Sequence, residues 1–310
     1  MRAPLLMAGV AALLTLSLAA ACSTAPRTTD GVATAKNQAA QDSTNGEAYY
    51  RQGRYDLALQ FFTRSLNAYT SVDNEEGIVQ SYNAIGTTYM AMGSLDMAEE
   101  ILIRARERSR GMDPPLLAIS TNNLGELYLA KGEAQKALGI LEEALAMPAG
   151  ARTPMQTGLL YHNLGIAQKD LGNPAKAQEY YRKSLEINLA NKLIAQAAGD
   201  YYMIAAVHSK NGEYAEAEKN AALALAADKQ IENSPGIALD LYAMGLIANR
   251  RRDAAAAYDY FQRSSLVYTT LGWKPEMKKA LTELVAAADA LGRTAEAEAF
   301  RKALADLDRP

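Results

Sequence analysis

Six polar or aromatic residues recur at one phase of a period of about 40: Asn83, Asn122, His162, Tyr202, Tyr242 and Thr282. Each stands three residues before a landmark, Gly86, Gly125, Gly165, Ala205, Gly245 or Val285. Asn123 and Asn163 sit beside this phase, and one turn further along the same face come Lys169, Asn249 and Arg250. Carboxamides both donate to and accept from an extended backbone, and tyrosine adds apolar area with a polar tip. This is the chemistry of binding. Catalytic chemistry has no counterpart: the chain shows no nucleophile-base constellation, phosphate loop or metal motif. His162 and His208 are the only histidines, and they fall at different phases. A two-histidine metal site needs both on one converging face, so none is expected. His208 shares the phase of Tyr89 and Tyr128, which places it in the packed core. The chain reads as a binding protein, not an enzyme, with no cofactor and no metal.

The elements that position these residues follow from the period. Ala58, Ala98, Ala137, Ala177, Ala217, Ala257 and Ala297 stand 39 or 40 residues apart. Five residues before six of them is a glycine, Gly53, Gly93, Gly132, Gly172, Gly212 or Gly292, with Arg252 the exception. A fixed period of this length marks a stack of one supersecondary unit, each copy burying its apolar face against its neighbours. The pattern within a unit is helix, short turn, helix. In the second unit the helices are expected at about 74–91 and 94–109, with Gly93 taking positive φ in the turn and Ser94 capping the next helix. Asn173 before Pro174 repeats the turn signal, and Pro115, Pro154, Pro235 and Pro275 mark the starts of first helices. Asn45 in the first unit and Arg301 in the last put polar groups where other units are apolar, as the ends of a solenoid require.

Asn123-Leu124-Gly125-Glu126-Leu127-Tyr128, followed by Gly132, Ala137, Leu141 and Ala144, resembles a tetratricopeptide repeat. Gly86, Tyr89, Gly93, Ala98, Leu102 and Ala105 repeat the pattern, as do Gly165, Gly172, Ala177, Tyr181 and Ser184. The family's usual repeat has 34 residues, and a period near 40 approaches the HEAT range. The internal glycine and alanine spacings favour the tetratricopeptide pattern. The surplus falls after the central alanine, in a longer second helix or the following loop, as in variants resembling kinesin light chain. The resemblance implies an all-α fold, a right-handed α-solenoid of about seven helix-turn-helix repeats with a concave groove. It implies that Asn83, Asn122, Asn123, His162, Asn163, Tyr202, Tyr242 and Asn249 hold partner peptides there. The other reading of these residues is that they solvate an exposed face or bond within the array.

The N-terminus carries a separate signal. Arg2 precedes an apolar stretch from Ala3 to Ala21, and Cys22, the only cysteine, follows it. Residues 1–21 read as a secretory signal. Leu18-Ala19-Ala20-Ala21-Cys22 resembles a bacterial lipobox, with the leucine one place further back than usual. The resemblance implies lipidation of Cys22, and Ser23 after it implies an outer-membrane anchor with the array facing the periplasm in a Gram-negative cell. Residues 22–36 are expected as a lipidated tether and 37–308 as the array. With 32 basic and 35 acidic residues interspersed, the net charge of -3 leaves no electrostatic footprint for nucleic acid. The expected partners are other cell-envelope proteins, through peptide segments, and the membrane, through the N-terminal lipid. The alternative is a ligand-binding component partnering a solute transporter, which a pocket enclosed by Tyr202 and Tyr242 would favour.

Overall fold

The computed structural model describes residues 29–307, so the signal segment 1–21 and Cys22 lie outside the described residues. Seven helix pairs follow one another. They are α1 (Thr29–Arg51) with α2 (Tyr55–Ser71), α3 (Glu75–Ala91) with α4 (Leu95–Ser109), and α5 (Pro114–Ala130) with α6 (Ala134–Ala146). Then come α7 (Pro154–Asp170) with α8 (Pro174–Ala190), α9 (Ile194–Lys210) with α10 (Tyr214–Gln230), α11 (Ser234–Arg250) with α12 (Ala254–Leu271), and α13 (Lys274–Ala290) with α14 (Thr294–Leu307). No strand occurs among the described residues. The chain is a right-handed α-solenoid of seven helix-turn-helix units. Helix α1 starts at Thr29, inside the segment expected as a tether. Pro26 is the last proline before it, and Ala33, Ala35, Ala39 and Ala40 supply high helix propensity.

Close approach within the pairs explains the recurring spacing of small residues along the chain. All seven period-marking alanines, Ala58 to Ala297, have no exposed surface. A Cβ on Gly46 would lie 2.6 Å from the Phe62 ring, one on Gly86 or Gly125 2.5 Å from Leu102 or Leu141, and one on Gly165 2.4 Å from Tyr181. Gly245 stands in the same relation to Phe261, at 2.5 Å. The large residue sixteen places after each glycine therefore sits directly on the backbone of the first helix. In the fifth unit Ala205 and Ala221 occupy these two positions, both buried in one apolar cluster.

The turns are of two kinds. Within pairs, Gly53, Gly93, Gly132, Gly172, Gly212 and Gly292 have φ between +69° and +81°, and Arg252 takes φ +63° in their place. Between pairs, Asp73, Lys192 and Glu232 also have positive φ, of +51°, +56° and +55°, and Gly272 completes this second series. Ser94 precedes α4 without a side-chain cap, contrary to expectation, whereas Asn74 Oδ1 accepts from the Gly77 amide at 2.9 Å. Pro154 and Pro174 open their helices, while Pro115, Pro235 and Pro275 take the second position.

The surplus length appears in two forms. Helices α8 and α10 run to 17 residues and α12 to 18. Helix α6 stops after 13, and a short 3-10 turn at Ala149–Ala151 fills the interval, with Arg152 donating to the Ala144 and Met147 carbonyls. At the C-terminal end Arg301 is exposed and pairs with Asp289, giving the array its polar outer face. Helices α3, α5, α7, α9 and α11 also pack on one another in succession, and the even-numbered helices do not to that extent. The odd-numbered helices thus form the tighter, inner wall.

A left-handed backbone costs a residue with a Cβ about 1–2 kcal/mol. Arg252→Gly is expected to stabilise the chain by about 1 kcal/mol, read as a higher urea midpoint at unchanged m. Gly165→Ala, which drives a methyl into the Tyr181 ring, is expected to cost about 1–3 kcal/mol by the same measurement.

Candidate functional site

The inner wall is joined from unit to unit by its polar phase. Asn83 on α3 donates through Nδ2 to Ser120 Oγ on α5 at 2.8 Å and to its own helix at Val79 O, 3.1 Å. Its Oδ1 accepts from Asn123 Nδ2 at 3.0 Å. Asn163 on α7 donates to Asn122 Oδ1 on α5 at 3.4 Å. His162 Nδ1 meets Asp200 Oδ1 on α9 at 2.7 Å, and Arg250 on α11 donates to Ser209 Oγ on α9 at 3.0 Å. Apart from the Asn83–Val79 bond, each crosses from one first helix to a neighbouring first helix.

This differs from the expectation of free carboxamides facing a partner. Asn83, Asn122 and Asn163 are only 6%, 9% and 3% exposed, and each makes a side-chain hydrogen bond within the array. The reason is position: these short side chains lie in the seam between adjacent first helices, where an unmatched amide would be costly. The longer side chains at this phase, His162, Tyr202 and Tyr242, reach past the seam. Asn123, His162, Tyr202 and Tyr242 are half-buried, and Asn249 and Thr282 are exposed.

Helical spacing of three and four residues extends this phase into a row on each inner helix. On α7 the row is Leu159, His162, Ile166 and Lys169; on α9 it is Gly199, Tyr202, Ala206 and Lys210; on α11 it is Leu239, Tyr242, Leu246 and Arg250. Leu159 and Leu239 are 39% and 41% exposed, large for leucine in a packed array. Sequence reasoning missed these apolar members. Counting three and four residues from the polar phase was the available signal.

Between α7, α9 and α11 the wall opens into a cleft of about 710 Å³. Ala206, Leu246 and Tyr202 line it, with Lys169, Lys210 and Arg250 also on its walls. Tyr242 is not on its lining, so the two tyrosines do not enclose one pocket. Tyr242 instead packs at a tilt on Phe261, with ring centres 5.5 Å apart. Burial raises the phenol pKa of both Tyr202 and Tyr242.

Beneath the tyrosines lies a pair of buried carboxyls, Asp228 on α10 and Asp240 on α11. Asn233 Nδ2 donates to Asp228 Oδ1 at 3.0 Å. Burial, reinforced by the charge of Asp228 and the hydrogen bond to it, pushes Asp240 up to about 8. Asp240 therefore keeps its proton at neutral pH and can donate to Asp228, which two bare carboxylates in this setting could not do. His208 is buried as expected and is held by Gln178 and Glu213. No group of three histidine, cysteine, aspartate or glutamate side chains among the described residues could hold a metal ion.

Comparison with known proteins agrees with this architecture. Residues 38–110 and 77–149 match one tetratricopeptide-repeat family model, and 159–191 match another. Tetratricopeptide repeats are thus recognised in the first four units. Among solved structures, the apo quorum sensor NprR from B. thuringiensis has a TM-score of 0.68 at 20% identity, over 90% of this chain and 81% of its own. Rap protein complexed with Competence and Sporulation Factor has a TM-score of 0.65 at 14% identity, over 87% and 74%. A Podosopora anserina putative kinesin light chain with nearly identical TPR-like repeats has 0.52 at 18%, over 63% and 95%. No curated protein matches the chain.

Removing the Asn83 amide strands Ser120 and Asn123, so Asn83→Ala is expected to lower stability by about 1–2 kcal/mol, whereas exposed Asn249→Ala stays within about 0.5 kcal/mol. Urea titration of both variants checks this. For Asp240 the folded value of about 8 exceeds the ordinary 3.8. The folded state therefore holds the extra proton, and its contribution to stability is lost as pH rises from about 4 to about 8. Asp240→Asn is expected to flatten the urea midpoint across that window, the difference from wild type growing with pH and then levelling.

Proposed function

We propose that this protein is a lipid-anchored adaptor of the bacterial cell envelope, holding extended segments of other envelope proteins against the inner wall of its array. The observation that carries the reading is the set of rows on α7, α9 and α11, where half-exposed His162, Tyr202 and Tyr242 alternate with Leu159, Ala206, Leu239 and Leu246. An extended segment needs this alternation of polar and apolar contacts along its length. Asn123 and Asn249 extend the contact surface at either end of the row, and Asn83, Asn122 and Asn163 keep its helices in register. A fold shared with Rap protein, whose structure is complexed with Competence and Sporulation Factor, is consistent with partner capture by such a wall.

In this reading Cys22 is the lipidated residue, the anchor lies in the outer membrane of a Gram-negative cell, and the array faces the periplasm. No described helix is long and apolar enough to cross a membrane. The alternative, a ligand-binding component partnering a solute transporter, draws support from the cleft beside Tyr202. Its volume of about 710 Å³ lies in the range that holds a small molecule. The absence of Tyr242 from that cleft's lining favours segment capture.

Crosslinked capture from membranes, with partners identified by mass spectrometry, tests the reading. Tyr202→Ala combined with Tyr242→Ala is expected to reduce recovery of the partner about tenfold, the loss of roughly 1.4 kcal/mol of contact, at unchanged helicity. Undiminished recovery would rule out the wall as the capture surface. Cys22→Ser is expected to leave the membrane fraction, and a form that still sediments with membranes contradicts the anchor.

A further inference from the structure

The inner wall is interrupted at one point. Where successive first helices carry Ile119, Leu159 and Leu239, α9 carries Gly199. A Cβ there would meet only His162 Cε1, at 3.9 Å, so packing places no demand for a glycine. Behind the gap, among α7, α8 and α9, is a cavity of about 190 Å³ lined by residues that include Leu159, His162, Ser184, Asn188, Gln196 and Asp200.

The floor of this cavity is polar and closed to solvent. Asp200 has no exposed surface; its Oδ1 meets His162 Nδ1, and its Oδ2 accepts from Asn188 Nδ2 at 2.8 Å. Asn188 is 1% exposed and also donates to Ser184 Oγ at 3.2 Å, which in turn donates to Gly158 O at 2.9 Å. Asn188 Oδ1 is buried and accepts no hydrogen bond. The lining holds no lysine or arginine, so the imidazole of His162 is the only basic group paired with Asp200 among the described residues. Glu126 on α5, whose carboxyl pKa burial raises, adds a second acid near His162.

A buried carboxylate matched only by an imidazole and a neutral amide, beside an amide oxygen that accepts nothing, favours an added N–H donor carrying positive charge. The next unit shows the closed version. Forty residues on, Asp228 and Asp240 take the places of Asn188 and Asp200, burial holds Asp240 in its neutral form, and Leu239 stands where Gly199 leaves its gap.

We propose that this cavity is a socket for one basic side chain, an ammonium or guanidinium, presented by the segment that lies along the inner wall. The proposal rests on the capture reading above. Asp200 supplies the counter-charge, Asn188 Oδ1 accepts an N–H, and the missing side chain at Gly199 provides the entrance. His162 and Leu159 flank the stem.

The test uses the full chain and two small probes, agmatine and n-butylamine, at fixed pH, with n-butanol and sodium chloride at matched concentration and ionic strength as controls. The two histidines give two imidazole Cε1–H signals. The expected result is a saturable shift of the His162 signal with either amine, with His208 unmoved and the controls silent. Gly199→Leu, which fills the entrance without a backbone clash, is expected to abolish the shift at unchanged helicity, and Asp200→Asn to weaken it at least tenfold. An equal response to n-butanol or sodium chloride overturns the socket, and so does a titration that Gly199→Leu leaves intact. Should Asp200→Asn fail to fold, Gly199→Leu decides alone. Failure of the socket leaves partner capture sensitive to Tyr202→Ala and Tyr242→Ala. Failure of the capture reading appears as insensitivity to those changes, while the amine titration still reports the socket.

Discussion

Direct contact between a glycine backbone and a large side chain sixteen residues later brings the helices of five of the seven pairs close together. At Gly165 the Tyr181 ring fills the place that a Cβ would take, and the same relation recurs at Gly46, Gly86, Gly125 and Gly245. Interiors at crystal-like density cannot absorb an added methyl at such a contact without displacing one helix. Because the contact recurs in five of the seven units, the stack repeats regularly, and regular repetition brings the odd-numbered helices together as one inner wall. Everything proposed for that wall depends on this spacing.

The wall needs a second interaction to stay in register. Apolar packing is tolerant of sliding, but hydrogen bonds between Asn83 and Ser120, Asn163 and Asn122, and His162 and Asp200 are not. These bonds hold successive first helices at fixed offsets. The same phase serves two purposes along the array. Where the side chain is a short amide it is consumed by the seam, and where it is histidine or tyrosine it bridges or borders the seam and still presents a face to the groove.

Much of the fold was legible from spacing alone, because each landmark answers a steric requirement that few residues meet. The left-handed turns at Gly93 and Gly172, the fully buried alanines and the helix-opening prolines belong to that class. The turns at Asp73, Lys192 and Glu232 were not legible, since a charged residue carries no mark of the positive φ that tertiary packing imposes on it. Nor did sequence reveal that Asn83, Asn122 and Asn163 are buried: periodicity locates a face to within a residue or so, and the boundary between seam and groove is narrower than that. Tyr202 lines the cleft, and the apolar members Leu159, Leu239 and Leu246 of the same rows were not legible because single leucines in helices carry no distinguishing mark. Gly199 was hidden for the opposite reason. It breaks a row that only the structure draws.

In the proposed function a partner segment lies along the inner wall, from α5 to α11. Hydrogen exchange of the crosslinked complex against the free chain tests it most directly, because exchange reports protection helix by helix. Added protection is expected at α7, α9 and α11, with α8, α10 and α12 unchanged. Protection confined to the even-numbered helices would place the partner on the outer face and contradict it.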